Sequence, residues 1–379
     1  MCKILKIFLC LIVLIPVCFV NANELATNAS SVIVLEPTTG EVIYERNSHE
    51  RRHPASMTKI MTMLLVMESV ENNIIKWDDI ITVSENASSM GGSQILLETN
   101  EQMSVYDMFK GLAVASGNDA AVALAEKIAG TEEAFVSMMN DKAKQLGLED
   151  TNFKNPHGLD DANHYSSAYD MAIMSKELLK YPKVLEFTSI YEDYLRKGTD
   201  RSFWLVNTNK LVRFYPGVDG LKTGYTEEAG FCISATAKKD GLRVITVVMG
   251  EPDSKTRNAD VTSTFDYVFA QYALKNIVDT NTVLKEVNIE RADIEKIGII
   301  SKEEVTDLYK KKDGLSNVTY EIEVDNLKAP IAKGEVVGRL ILKDNENIIR
   351  TVDLTVKEDV YKANIFTLYT RYLKKIFGN

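Results

Sequence analysis

The chain has 379 residues, 45% of them hydrophobic and 26% charged, with 20 Gly and 8 Pro. That allows two domains or one large one and excludes collagen-like, low-complexity and wholly disordered chains. The formal net charge of −10 disfavours a nucleic-acid phosphate backbone as partner.

Residues 1–22 differ from the rest. Lys3 and Lys6 give a positive start, Ile7 to Val20 is an apolar run broken by Pro16, and Val20-Asn21-Ala22 is a small-residue cleavage pattern. This reads as a secretory signal peptide, too short to span a bilayer comfortably. Cys18 follows Val17 in a poor lipobox, so lipidation is not expected. Cleavage removes Cys2, Cys10 and Cys18, leaving Cys232 with no internal disulfide partner. It also leaves 42 basic against 54 acidic residues, a net charge of −12.

Ser31–Leu35 and Glu41–Glu45 read as strands joined by the turn Pro37-Thr38-Thr39-Gly40, a hairpin. From Ile60 apolar residues recur at helical spacing, so Ser56 in Pro54-Ala55-Ser56-Met57-Thr58-Lys59 stands at or near a helix N-terminus. Residues three apart share a helix face, so Ser56 and Lys59 can meet. A serine needs an adjacent base to become a nucleophile. A lysine serves as that base only if burial or nearby positive charge lowers its pKa. Taken alone, Ser-x-x-Lys is a weak signal, because serine is a common helix cap.

Ser88 to Ser93 reads as a loop. Ser104–Ala115, Ala120–Ala129 and Thr131–Leu146 read as helices, broken at Ser116-Gly117-Asn118-Asp119, Gly130 and Gly147. Asn155-Pro156-His157-Gly158-Leu159 is a turn cluster, and Ser167 to Asp170 resembles a capping box before a helix through Leu179. Val218–Thr223, Gly230–Ala237 and Arg243–Gly250 read as neighbouring antiparallel strands. Val261, Phe265, Val268, Phe269 and Tyr272 then mark a long helix. Early and late strands can join one sheet with helices around it, an α+β arrangement.

Beyond about Asp279 the character changes. Tyr320–Val324, Val336–Leu342 and Ile348–Val356 read as strands of a small β-rich domain, 280–358, following a larger domain, 23–279. In the last segment, 359–379, Ile365, Phe366, Tyr369, Tyr372, Leu373, Ile376 and Phe377 keep helical spacing. Lys362, Arg371, Lys374 and Lys375 accompany them, and Tyr361 to Phe377 holds no acid. A basic amphipathic helix with an aromatic face suits an anionic membrane surface.

Three short signals stand in order: Ser56-Met57-Thr58-Lys59, Ser116-Gly117-Asn118 and Lys222-Thr223-Gly224. Each alone has a bland reading, but together the chain resembles the serine D-alanyl-D-alanine carboxypeptidases, the low-molecular-mass penicillin-binding proteins. Ala115 to Ala121, Gly220 to Thr226, Asn155 to Leu159 and Ala329 to Glu335 also look like that family. The resemblance covers roughly residues 25–375 and implies a β-lactamase/DD-peptidase-like antiparallel sheet flanked by helices.

It further implies Ser56 as nucleophile, Lys59 as base and Ser116 as proton relay. Asn118, Lys222, Thr223, Gly224, Tyr225 and Arg257 would bind substrate. The amides of Ser56 and Tyr225 would form an oxyanion hole, and Arg257 would hold the terminal carboxylate. The substrates implied are peptidoglycan stem peptides ending in D-Ala-D-Ala, with β-lactams as inhibitors and no cofactor or metal. His157 and His164 lack ligand-spaced partners and read as structural. Cys232, in a strand, reads as a buried apolar thiol. A β-lactamase and a catalytically inactive wall-binding protein are the alternatives. No Glu-x-x-Leu-Asn lies between the second and third motifs, and Gly117 stands where β-lactamases usually have Asp, which argues against the first alternative.

Overall fold

The computed structural model describes residues 24–289, 291–314, 318–344 and 347–377; the expected signal peptide lies outside them. The main sheet has five antiparallel strands, in the order Val42–Arg46, Ser31–Leu35, Leu242–Glu251, Gly230–Lys239 and Val218–Thr226. Ser31 lies opposite Met249 and Leu35 opposite Ile245, so the amino-terminal hairpin closes onto the late meander. The expected union of early and late strands is therefore present.

Strand side chains alternate between faces, and that alternation divides the core in two. Ile33, Leu35, Ile245, Val247 and Met249 face the helical layer. Val32, Val34, Val244 and Val248 face the opposite side, where the Ser254–Gln271 helix supplies Val261, Phe265 and Val268. Tyr272 does not continue that helix, as its spacing suggested, but opens a strand, Tyr272–Val278.

The Lys59–Glu71 helix runs through the helical layer. Every residue from Lys59 to Met67 is buried, the mark of a helix enclosed on all sides. Its first residue is a lysine, so the enclosure places a basic group in the interior. The Val105–Ala115 helix, capped by the Ser104 hydroxyl, ends where Ser116 turns left-handed at φ 64°. The Asn118–Ala129 helix starts immediately afterwards. A hairpin that the sequence reading did not find, Glu192–Leu195 with Phe203–Val206, packs beside these helices.

In the carboxy-terminal part, five antiparallel strands run in the order Lys285–Asn288, Lys296–Ser301, Asn347–Val356, Gly338–Asp344 and Val318–Val324. Tyr272–Val278 pairs with Val305–Lys310. Strand pairing thus begins before residue 280; Tyr272–Val278 follows without a break on the helix that ends at Gln271, so Tyr272 keeps helical spacing with Val268 and hides the start of the strand. At the far end Lys362 bridges to Ala292 and buried Val360 pairs with Ile331. These residues belong to β structure, and the terminal helix is shorter than expected, Ile365–Phe377. The Asn364 carboxamide caps it by accepting from the Thr367 amide at 2.8 Å. Ile365 is 87% exposed, and Phe366 and Phe377 are each 78% exposed, an apolar face left uncovered among the described residues. Arg371 points the other way, donating to the carbonyls of Ala292 and Asp293 and lying 3.2 Å from Glu295 Oε1.

Candidate active site

Pro54 ends the approach to a single 3-10 turn, Ala55–Thr58, which feeds directly into the buried helix. Ser56 stands on the turn and Lys59 one turn later. Lys59 Nζ lies 3.0 Å from Ser56 Oγ, 2.7 Å from Asn118 Oδ1 and 2.6 Å from the His157 carbonyl. The Asn118 amide nitrogen donates to the Gly91 carbonyl at 2.7 Å, which fixes the amide so that its oxygen faces the lysine. Two of the three groups around Nζ are therefore pure acceptors. A neutral amine can donate to both and keep its lone pair for the Ser56 hydroxyl.

The electrostatics favour that neutral form. Burial, then the adjacent Lys222, holds Lys59 well below the ordinary lysine range, against a smaller opposing pull from Asp119. Lys222 is itself lowered to about 7 by burial and then by Arg257. Arg257 is lowered to about 10, chiefly by burial. Arg257 thus helps to depress Lys222, and Lys222 in turn helps to depress Lys59.

The third motif lies on Val218–Thr226, the edge strand of the main sheet. A Cβ on Gly224 would stand 2.8 Å from the Pro54 carbonyl, 3.1 Å from Ala55 Cβ and 3.1 Å from the Ser56 amide nitrogen. Only glycine lets the strand come this close to the turn. Gly224 thereby brings the following Tyr225 residue alongside the Ser56 amide. Tyr225 has an exposed ring, tilted by 32° against Phe231 with the ring centroids 4.2 Å apart. Thr223 Oγ1 donates to Thr208 Oγ1 at 2.7 Å. Lys222 Nζ donates to the Thr223 carbonyl at 3.0 Å and makes no hydrogen bond to Ser116.

Ser116 is buried, and its hydroxyl makes no hydrogen bond among the described residues. Arg257 is buried and not solvated. It donates to Asn258 Oδ1 at 2.9 Å and the Cys232 carbonyl at 3.4 Å, and it pairs with no carboxylate among the described residues. Ser56, Lys59 and Asn118 are thus directly bonded. Gly224 joins them by contact and Lys222 by charge, while Ser116, Thr223, Tyr225 and Arg257 make no direct bond to them.

Several supporting residues were not legible. His157 acts through its carbonyl. Its loop is seated by Gly158, at φ 90°, where a Cβ would lie 1.9 Å from the Ala55 carbonyl. The turn cluster around Pro156 was visible, but nothing in it signalled a carbonyl on Lys59. His164 Nδ1 accepts from the Lys154 amide at 3.1 Å, so Nε2 carries the proton and donates to Thr58 Oγ1 at 2.7 Å. Burial lowers His164 to about 4 and keeps it neutral. Asp119, fully buried, accepts from the amides of Ile95, Leu97 and Ala120 and so holds the loop that contacts Asn118. Cys232 is a buried free thiol, raised to about 11 by burial.

The profile described as "D-alanyl-D-alanine carboxypeptidase" matches residues 19–253, more than half of the chain. The chain belongs to the D-alanyl-D-alanine carboxypeptidase family. A second profile, "Penicillin-binding protein 5, C-terminal domain", matches residues 272–362. The chain is 50% identical over 360 residues to D-alanyl-D-alanine carboxypeptidase DacF of Bacillus subtilis, covering 95% of this chain and 92% of that one. It is 34% identical to DacA of Haemophilus influenzae, covering 89% and 86%. Penicillin-binding protein 5 of H. influenzae has a similar structure, with a TM-score of 0.75 and 32% identity over 90% of this chain and 100% of that one. The ampicillin-bound form of penicillin-binding protein D2 of Listeria monocytogenes matches with a TM-score of 0.58 and 33% identity, over 64% and 98%.

Proposed function

We propose that this family member removes the terminal D-alanine from peptidoglycan stem peptides through an acyl-enzyme on Ser56. The observation that carries the reading is the bonding of Lys59: a fully buried amine, 3.0 Å from Ser56 Oγ, whose other two partners are acceptors. The extended peptide lies along the free edge of the Val218–Thr226 strand, where main-chain groups remain open to a further strand. Arg257 and Thr223 take the terminal carboxylate; a buried guanidinium without a carboxylate partner suits that role. The penultimate carbonyl oxygen sits between the amides of Ser56 and Tyr225, which the glycine at 224 brings together. Each such donor contributes about 3 kcal/mol in comparable hydrolases.

Neutral Lys59 takes the Ser56 proton as Oγ attacks the carbonyl carbon. The tetrahedral centre collapses, the peptide bond breaks, and the departing D-alanine amine receives a proton through Ser116. Asn118 and His157 keep the Lys59 amine in place throughout. Water then cleaves the ester and returns the serine. A β-lactam presents the same two features, a reactive amide and a carboxylate, and acylates Ser56 while its leaving group stays tethered.

The enzyme acts outside the cytoplasmic membrane, exported by its first 22 residues. The terminal helix lies in the outer membrane face with its apolar side down. Thirteen residues are too few to cross a bilayer, and no helix among the described residues is long and apolar enough to do so. The test of the catalytic reading is D-alanine release from an N-acyl tripeptide ending in D-Ala-D-Ala. Wild-type protein should release it, and Ser56→Ala should not; release by the variant at the wild-type rate would refute the assignment.

A further inference from the structure

The Lys59 amine is held by two acceptors that come from different loops, Asn118 Oδ1 and the His157 carbonyl. Both loops lead back to one carboxylate outside the site. Glu132 opens the Glu132–Gln145 helix, and its side chain is 20% exposed.

The first route runs through the ring of His157, which is buried. Its Nδ1 accepts from the Leu159 amide at 3.2 Å, so Nε2 carries the proton. Nε2 lies 3.6 Å from Glu132 Oε1. That is longer than a full hydrogen bond, so the contact is an attraction between an N–H dipole and a charge. His157 holds the Glu132 carboxyl below the ordinary range, and burial lowers His157, which leaves a carboxylate facing a neutral ring at neutral pH.

The second route runs through Asn86. Glu132 Oε2 accepts from Asn86 Nδ2 at 3.2 Å. Asn86 belongs to the single helical turn Glu85–Ser88, and its carbonyl accepts from the Ser89 amide at 3.2 Å and the Ser89 hydroxyl at 2.8 Å. Two residues on, the Gly91 carbonyl accepts from Asn118 Nδ2 at 2.7 Å, the bond that turns Asn118 Oδ1 toward Lys59. Asn86 is tied also to Glu126, at 3.0 Å, on the helix that Asn118 begins.

We infer that Glu132 is a positioning residue for the general base: one oxygen braces the His157 ring, the other braces Asn86, and through them a single carboxylate sets both acceptors that hold the Lys59 amine against Ser56 Oγ. The inference rests on the reading of Lys59 as the base. A base paired with a nucleophile is commonly oriented by a further group. Here that group acts through two neutral intermediaries. Burial, Lys222 and Asp119 are what shift Lys59, and Glu132 is not among them, so it orients the amine without favouring its protonated form.

Stopped-flow reaction with a fluorescent penicillin tests this, because it separates the dissociation constant of the first complex from the acylation rate constant. Glu132→Ala removes both braces. Its acylation rate constant should fall about tenfold, the effect of a shift of roughly half an ångström in a reacting group. Its dissociation constant should stay within about twofold of wild type, because Arg257 and Thr223 are untouched. Glu132→Gln keeps the shape and one acceptor oxygen, so it should recover part of the lost rate. Glu133→Ala is the control: it removes an exposed carboxylate from the same helical turn and should acylate like wild type. Equal acylation rate constants in Glu132→Ala and Glu133→Ala, or a loss confined to the dissociation constant, overturns the brace and leaves Ser56 acylation standing. So does a Glu132→Gln variant that melts like wild type and is as slow as Glu132→Ala. No penicillin labelling of the wild type would instead overturn the catalytic reading, and the brace with it.

Discussion

Replacing Gly224 by alanine puts one methyl group against the backbone that carries Ser56. The new Cβ would meet the Pro54 carbonyl at 2.8 Å, Ala55 Cβ at 3.1 Å and the Ser56 amide nitrogen at 3.1 Å. These distances fall short of ordinary contact by roughly half an ångström, and two of the three atoms are backbone that cannot rotate aside. Gly224 has no positive φ, so alanine brings no conformational strain of its own. The whole effect is displacement of the turn from the strand. Overpacking of this size costs about 1–2 kcal/mol of stability. Misplacing a reacting atom by about an ångström costs on the order of a hundredfold in rate, so a shift of half that should slow acylation about tenfold or more. Stopped-flow acylation with a fluorescent penicillin and thermal melting measure the two effects. Gly91→Ala is the control, since a Cβ there meets nothing within 4 Å. Wild-type acylation and melting in Gly224→Ala would refute the claim that strand and turn are held at a distance only glycine permits.

Other expectations follow from the charges and from the terminal helix. Lys222→Met removes the positive neighbour that depresses Lys59, so the acidic limb of the acylation rate should move to higher pH; an unmoved limb would show that Lys222 does not tune the base. His164 is lowered from 6.5 to about 4 in the fold. Between those values the unfolded chain binds a proton the folded protein does not, so stability is full above 6.5 and falls by about 3 kcal/mol as pH drops through the window. Urea unfolding of wild type and His164→Gln at both ends of that range measures it, and equal pH slopes would dismiss the assignment. Truncation after Asn364 removes the exposed helix and spares the paired residues Val360 and Lys362. The shortened mature protein should no longer float with anionic vesicles yet should release D-alanine from a tripeptide normally. Equal flotation of both forms refutes the anchor, and lost activity refutes its separation from catalysis.

The parts of this molecule legible in the sequence are those set by local rules. The hairpin at Ser31, the serine cap at Ser167 and the meander from Val218 all follow from alternation and capping chemistry. The motif order located Ser56, Lys59 and Asn118, and the resemblance supplied their company. What the sequence concealed depends on tertiary enclosure. The helix after Ser56 is buried on every side, which only packing decides, and that enclosure is the chief reason the Lys59 pKa is lowered. The carbonyl of His157 could not be read because a backbone acceptor has no sequence signal. Asp119 looked like part of a turn, yet its carboxylate gathers amides from over twenty residues upstream. The strand at Tyr272 was hidden because it follows the Ser254–Gln271 helix without a break, and the hairpin strands at Glu192 and Phe203 are four residues each, too short for a clear alternation.

The central claim is that Ser56 is the nucleophile and that a neutral Lys59 takes its proton. Mass spectrometry of the mature protein after incubation with penicillin tests it most directly. The wild-type digest should carry the penicilloyl mass on the peptide containing Ser56, and Lys59→Ala should lose labelling by at least about a thousandfold in rate while melting as a folded protein. An adduct on any other residue, no adduct at all, or wild-type labelling of Lys59→Ala would contradict it.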